Sequence, residues 1–293
     1  MSRNNKDRLG VSDRNAGAET PAMQQMSAPI NTAPQSASPL NFVSPTEFVE
    51  LPSSGKFYPQ SHPLYNQATV EIKHMTTKEE DILTSQSLLR QGIAIDKFLQ
   101  QIMVDKRINP DDLLIGDKNA ILIASRRSGY GSSYETEVSC PSCSSKSVHE
   151  FSLDNIPFTE SVMGDNVEMT DNGTFIIKNL PTTGWNVEVR PLTGRDEKSL
   201  SASVESKRKA GVAEDMLTTQ IALFVVSISG VTDKLLILDA ISKLPAKDSR
   251  VLRTTYKNLM PNTDLAQTFA CPNCAYSGDM EVPFTTDFFW PKQ

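Results

Sequence analysis

Cys140, Cys143, Cys271 and Cys274 are the only cysteines of the chain, and they form two Cys-Pro-x-Cys knuckles. A two-residue spacer lets one tight turn aim two sulfurs at one point, and four thiolates at ~2.3 Å complete a tetrahedral zinc. Full pairing with no spare thiol makes one structural Zn2+ per chain the first expectation. A disulfide pair or C-x-x-C redox chemistry competes with it, although the chain shows no charged-then-apolar secretory start that would imply an oxidising compartment. Four sulfur ligands leave no open position for water or substrate, so the metal is expected to be structural. His149 could replace a ligand, but four thiolates already suffice. Residues 144–270 separate the knuckles, so the metal must tie distant parts of one fold together.

The elements that position the knuckles repeat. Residues 70–81 read VEIKHMTTKEED and residues 187–198 read VEVRPLTGRDEK. Both give a strand followed by a helix capped by threonine (Thr76, Thr193), with an acid three residues later (Glu79, Asp196), close to the capping-box pattern. Upstream, LPSSG at 51–55 is echoed by LPTTG at 180–184, and Asp117 and Asp248 each lie 23 residues before the first cysteine of a knuckle. The expected architecture is α+β: two related strand-helix halves, 42–153 and 154–293, joined at a four-cysteine, zinc-ribbon-like site. Chance similarity is the alternative, because capping signals recur widely.

Other segments have their own signatures. Residues 1–41 are rich in Asn, Ala, Ser, Gln and Pro and poor in branched or aromatic side chains, which predicts a disordered tail or a tethering arm that folds on a partner. The proline-rich stretch 51–65 predicts an extended loop pinned by aromatics. Periodicity predicts a helix over 77–89 with Ile82, Leu83 and Leu89 on one face, a second over 95–102, and a third running from Asp117 to Arg126. In the second half, 175–177 and 185–189 read as paired strands, and Leu217, Ile221, Phe224, Val225 and Ile228 fall in one helical stripe. Residues 235–244 read as a short apolar helix ended by Pro245, and 280–291 as strand-like. The terminal aromatics either close the core or mark an interface. Phe57, Tyr58, Phe288, Phe289 and Trp290 are the candidate partner-binding residues.

Several function classes are disfavoured. A formal charge of −6 and a pI near 5.2 oppose phosphate-backbone binding, which needs a surplus of Lys and Arg. The longest apolar run, 221–226, is far short of the ~20 residues that span a bilayer. None of the three histidines sits in a nucleophile context, and the acid pairs Glu79/Glu80 and Asp111/Asp112 lie at helix starts, where the macrodipole accounts for them. No catalytic residue is expected, and the chain is expected not to be an enzyme.

The runs MTTKEEDILTS (75–85), INPDDLLIGDKNAILIASR (108–126), both knuckles and FTTDFFWP (284–291) resemble the zinc-knuckle baseplate hub proteins of T4-type contractile-tailed phages, from about Leu51 to the end of the chain. The resemblance implies assembly of a virion tail baseplate in the host cytoplasm. Its implied partners are other hub proteins or the tape-measure protein, with no membrane role. Residues 187–198 with the helices after them are also similar to tail assembly chaperones, which implies the alternative of a tape-measure chaperone absent from the virion. A zinc-ribbon module that binds nucleic acid or polymerase is the lesser alternative, favoured by the knuckles and opposed by the acidic charge.

Overall fold

The computed structural model describes residues 43–209, 216–283 and 286–289. The tail expected over 1–41 and the candidate Trp290 lie outside the described residues.

β1 (Thr46–Glu50) pairs antiparallel with β2 (Thr69–Lys73), joined by a loop of consecutive turns. Gly55 in that loop has φ +71°, and a Cβ there would meet Gln67 N at 2.4 Å, so only glycine fits. Next come α1 (Thr77–Thr84), α2 (Gln86–Arg90), α3 (Ala94–Ile102), a 3-10 turn at Pro110–Asp112 and α4 (Ile115–Tyr130). β3 (Ser133–Ser139) and β4 (Lys146–Ser152) form the hairpin that carries the first knuckle. β5 (Phe158–Thr159) leads to a four-stranded antiparallel sheet of β6 (Val167–Met169), β7 (Phe175–Ile177), β8 (Val187–Val189) and β9 (Val225–Ile228). α5 (Gly194–Lys209) and α6 (Met216–Phe224) lie between β8 and β9, and α7 (Lys234–Ser242) and α8 (Ala246–Leu259) follow. β10 (Asn262–Thr263) pairs with β5, and β11 (Ala266–Ala270) with β12 (Ser277–Glu281) makes the hairpin of the second knuckle. A 3-10 turn at Thr286–Phe289 ends the described chain.

Three expectations change. The helix predicted over 77–89 breaks at Ser85, which is extended (φ −65°, ψ 107°), and this leaves Leu89 on a separate short helix, partly in solvent. The stripe from Leu217 to Ile228 is only partly helical. Helix α6 stops at Phe224, and Val225–Ile228 becomes a strand beside β8, because a Val-Val-x-Ile run fits the pleated, half-buried edge better than another helical turn. The strand-like tail ends at Glu281.

Two buried clusters result. One gathers residues from Val49 to Leu153 together with Leu265, Phe269, Val282, Phe288 and Phe289. The other runs from Phe175 to Leu259. The chain therefore returns to the first cluster after α8, and the second knuckle is built against the side of the molecule that holds the first. Between the clusters the joint is tight and charged. A Cβ on Gly116 would sit 2.3 Å from Pro261 O, Lys118 donates to Glu197 at 2.8 Å, Lys198 bridges Asp96 (2.7 Å) and Asp111, and Arg195 meets Asp112 at 2.7 Å. Arg126 is buried and spends its donors on carbonyls of Phe288, Gly131 and Ser133, tying the C-terminal turn to the end of α4.

The repeated sequence segments make matching hydrogen bonds. Asp117, in the first turn of α4, accepts from Ser53 N and Oγ (3.0 and 2.6 Å) and from the Tyr58 hydroxyl (2.8 Å). Asp248, in the first turn of α8, accepts from Thr182 N (2.8 Å) and from Thr183 N and Oγ1 (2.9 and 2.8 Å). Glu79 accepts from Thr76 N at 3.0 Å and from Lys73 at 2.8 Å; Asp196 accepts from Thr193 N at 2.9 Å and from both ends of the Arg190 guanidinium. Strand, loop, strand, capped helix and loop-anchoring helix thus recur in the same order.

The pKa values of the two anchoring aspartates shift in opposite directions. Burial raises the Asp117 pKa and outweighs the Ser53 and Tyr58 donors, whereas at Asp248 burial is outweighed by the Thr183 and Thr182 donors and the pKa is lowered. The Asp248 contribution to stability is therefore present above the ordinary aspartate pKa of ~3.9 and is lost as pH falls through its lowered value; that of Asp117 is present in acid and lost as pH rises through its raised value. Asp117→Asn can turn its amide toward two hydroxyls that are able to accept. Asp248→Asn must point an amide at a backbone N–H. Urea unfolding at pH 7 is expected to show a clearly lower midpoint for Asp248→Asn than for Asp117→Asn, and only Asp248→Asn should flatten the acid limb of the stability curve.

Candidate metal centre

The two hairpins deliver their knuckles with the same local geometry. Cys140 N–H donates to Ser145 O and Cys271 N–H to Tyr276 O, each at 2.9 Å, which closes the turn. Within each turn an amide points at the first sulfur: Ser142 N–H to Cys140 Sγ and Asn273 N–H to Cys271 Sγ, both at 3.4 Å. Across the hairpins Cys140 Sγ is 3.8 Å from Cys274 Sγ, and Cys143 Sγ is 3.8 Å from Cys271 Sγ. All four sulfurs lie within 4.8 Å of one another, and they are the only such donor group among the described residues.

Those separations decide between the chemistries expected of the cysteines. A disulfide needs sulfurs ~2.05 Å apart. A tetrahedron with ~2.3 Å metal–sulfur bonds has edges of ~3.8 Å. The cross-hairpin contacts match the second figure, so the cluster could hold a metal ion with all four positions filled by sulfur. Asn273 N–H, aided by Ser145 and the neighbouring thiols, lowers the Cys271 pKa to about 6, and Ser145 lowers that of Cys143. Cys274 goes the other way: its bond from Tyr276 N–H is outweighed by burial and by the three other sulfurs, which push it up to about 12. Four sulfurs this close cannot all carry charge without a cation among them. His149 is not in the group; its ring packs edge-on against Phe151 and Phe269, at 4.6 and 5.2 Å between centroids.

The expected partner-binding aromatics have a different fate. Phe288 and Phe289 are only 1% and 3% exposed, in contact with Tyr134 and Phe98, and Tyr58 is buried with its hydroxyl on Asp117. Phe57 is half-buried and packs on both clusters, 5.4 Å from the Phe175 ring. Burial of these rings corrects the expectation of a contact surface, since closing the core removes more apolar area from water than a rim contact would. The sequence reading passed over α7 as a surface. There Leu235, Leu236 and Leu238 are 78%, 61% and 46% exposed, while Ile237 and Ile241 face inward. The signal was present: four consecutive apolar residues cannot all share one face when the helix turns ~100° per residue.

Fold and site together define an α+β protein with matching strand-helix segments, closed by two knuckle hairpins around a four-sulfur cluster able to hold a metal ion. The family model described as T4 bacteriophage base plate protein matches residues 44–290, and the chain belongs to that family. The match includes both knuckles, the α7 leucines and the buried terminal phenylalanines. No curated protein and no solved structure matches the chain.

An ion held by four thiolates shields them. A thiol reagent added to the native chain is expected to find the cysteines slow, with all four reacting once a strong chelator is present. Because ligation needs deprotonated sulfur, the ion should also be released as pH falls, and Cys271→Ser should lower metal affinity at every pH. Metal content measured across a pH series checks both.

Proposed function

We propose that the chain is a baseplate hub component or hub assembly factor that acts by protein–protein contact, with one structural zinc clasping two copies of a duplicated unit. The match to the baseplate family over residues 44–290 carries this reading. Zinc is the ion best suited to four soft thiolates in a closed tetrahedron, and a site of this kind supplies ~10 to 16 kcal/mol of apparent binding energy to the fold. The paired Asp117 and Asp248 anchors, the Glu79 and Asp196 caps and the equivalent knuckle hydrogen bonds support duplication.

The reading is non-enzymatic because the buried acids are engaged in structural hydrogen bonds and a four-sulfur zinc offers no open coordination position. A baseplate protein works through contacts with other phage structural proteins, and the leucine face of α7 is the surface that supports such a contact. Large leucine side chains in water are costly unless a partner covers them. The occupant we assign is another baseplate or tape-measure protein that presents an apolar face.

Leu235→Glu combined with Leu236→Glu tests this. Both side chains are exposed, so melting should stay close to wild type and one zinc per chain should remain by elemental analysis, while complementation of tail assembly in infected cells falls steeply. Full complementation would place the contact elsewhere. Mass spectrometry of purified virions separates the two functional alternatives: a hub component is found in the particle, and a chaperone of the tape-measure protein is found only in infected-cell complexes.

A further inference from the structure

Half of the β1 backbone is unspent, and the hydrogen bonds at its two ends show which half. Leu51 N–H donates to Ala68 O and His74 N–H donates to Pro45 O, both at 2.8 Å, so 51/68 and 45/74 are hydrogen-bonded pairs. Bonded and unbonded pairs alternate along an antiparallel ladder, which makes Glu47 and Val49 the β1 residues that bond β2. The N–H and C=O groups of Thr46, Phe48 and Glu50 therefore point away from β2. Among the described residues they meet no partner, and β2 is the one strand beside β1.

A groove of about 310 Å³ lies along this edge, lined by Phe48, Ala120, Ile123, Ala124, Ile156 and Phe158 among others. α4 supports both β1 and β10, yet β10 pairs with β5 in a separate sheet. Val49 and the α4 residues of the groove are buried, whereas Phe48 is 70% and Phe158 38% exposed. An open strand edge bordered by apolar surface is a template for one more strand. In such strand addition the main-chain bonds supply affinity, and the sites for alternate side chains supply selectivity.

We propose that an extended segment of a partner protein pairs with the free edge of β1. The segment matches β1 in length, five residues. It places small or branched apolar side chains at alternate positions over Ala120, Ile123 and Ala124, and a basic side chain beside the exposed Glu50. A lone segment fits better than a second copy of this chain, whose β1 would arrive with β2 on its far edge and α4 beneath it, where Ile156 and Phe158 already stand. The contact is separate from the leucine face of α7 and from the cysteine cluster, and it does not rest on the baseplate reading.

A random heptapeptide library selected against the purified native chain is the probe. Selected sequences are expected to alternate apolar with polar residues. The tightest of them, made as a synthetic peptide, should slow amide hydrogen exchange about tenfold or more at Thr46, Phe48 and Glu50, while Glu47 and Val49, already bonded to β2, change little. Phe48→Pro deletes one outward N–H and leaves the β1–β2 ladder whole, a position where an edge strand tolerates proline. It strands a carbonyl of the guest, so binding should weaken about tenfold or more, with melting temperature and metal content close to wild type. Thr46→Pro stands in if Phe48→Pro melts early. A selection that yields no such peptide, protection without the alternate-residue pattern, or binding that survives both proline variants would overturn the proposal. A dimer in sedimentation that Phe48→Pro dissolves would overturn it too, by assigning the edge to a second copy.

Discussion

Four sulfurs that must sit within 4.8 Å of one another, two on each of two hairpins far apart in sequence, are the constraint on which the rest of the structure depends. Neither hairpin can set that distance alone. Each is a two-stranded ribbon, marginal in water unless packed. The chain meets the requirement by sending its last hairpin back across the first buried cluster, where Phe269 and Val282 pack with Tyr134, Phe151 and Phe288. With the hairpins fixed to one core, the sulfurs meet at cross-hairpin distances that suit tetrahedral ligation.

Upstream, buried carboxylates give the helices their direction. Asp117 fixes the start of α4 to the loop after β1, and Asp248 fixes the start of α8 to the loop after β7. Each helix then hands the chain to a knuckle hairpin, so the position of one carboxylate is passed along a rigid element to a pair of cysteines. The charged joint of Lys118, Lys198 and Arg195 with Glu197, Asp96, Asp111 and Asp112 ties α5 to α3, to the Pro110–Asp112 turn and to α4. Several of these pairs are partly exposed, so their worth lies more in fixing register than in net stability.

The division of labour between core and surface follows. Aromatic side chains are spent inside: Phe288 and Phe289 seal the first cluster, Arg126 holds their turn in place, and Phe57 spans the two clusters. The adjacent exposed leucines lie on α7, a helix whose buried residues are Ile237 and Ile241.

The sequence by itself determined the two cysteine knuckles that could hold a metal ion, the capped helices, the hairpins that carry the knuckles and the repeated order of elements, because each rests on short-range chemistry: spacing within a turn, a cap three residues from its acid, alternation along a strand. Only the tertiary structure decided the rest. Whether Val225–Ile228 continues a helix or joins a sheet depends on the open edge of β8, which no local window contains. Whether Phe288 is an anchor for a partner or a plug for the core depends on the space left between α4 and β3. The sulfurs gather because residues 144–270 leave the first cluster, build the second and come back, and that return is set by burial summed over the whole chain.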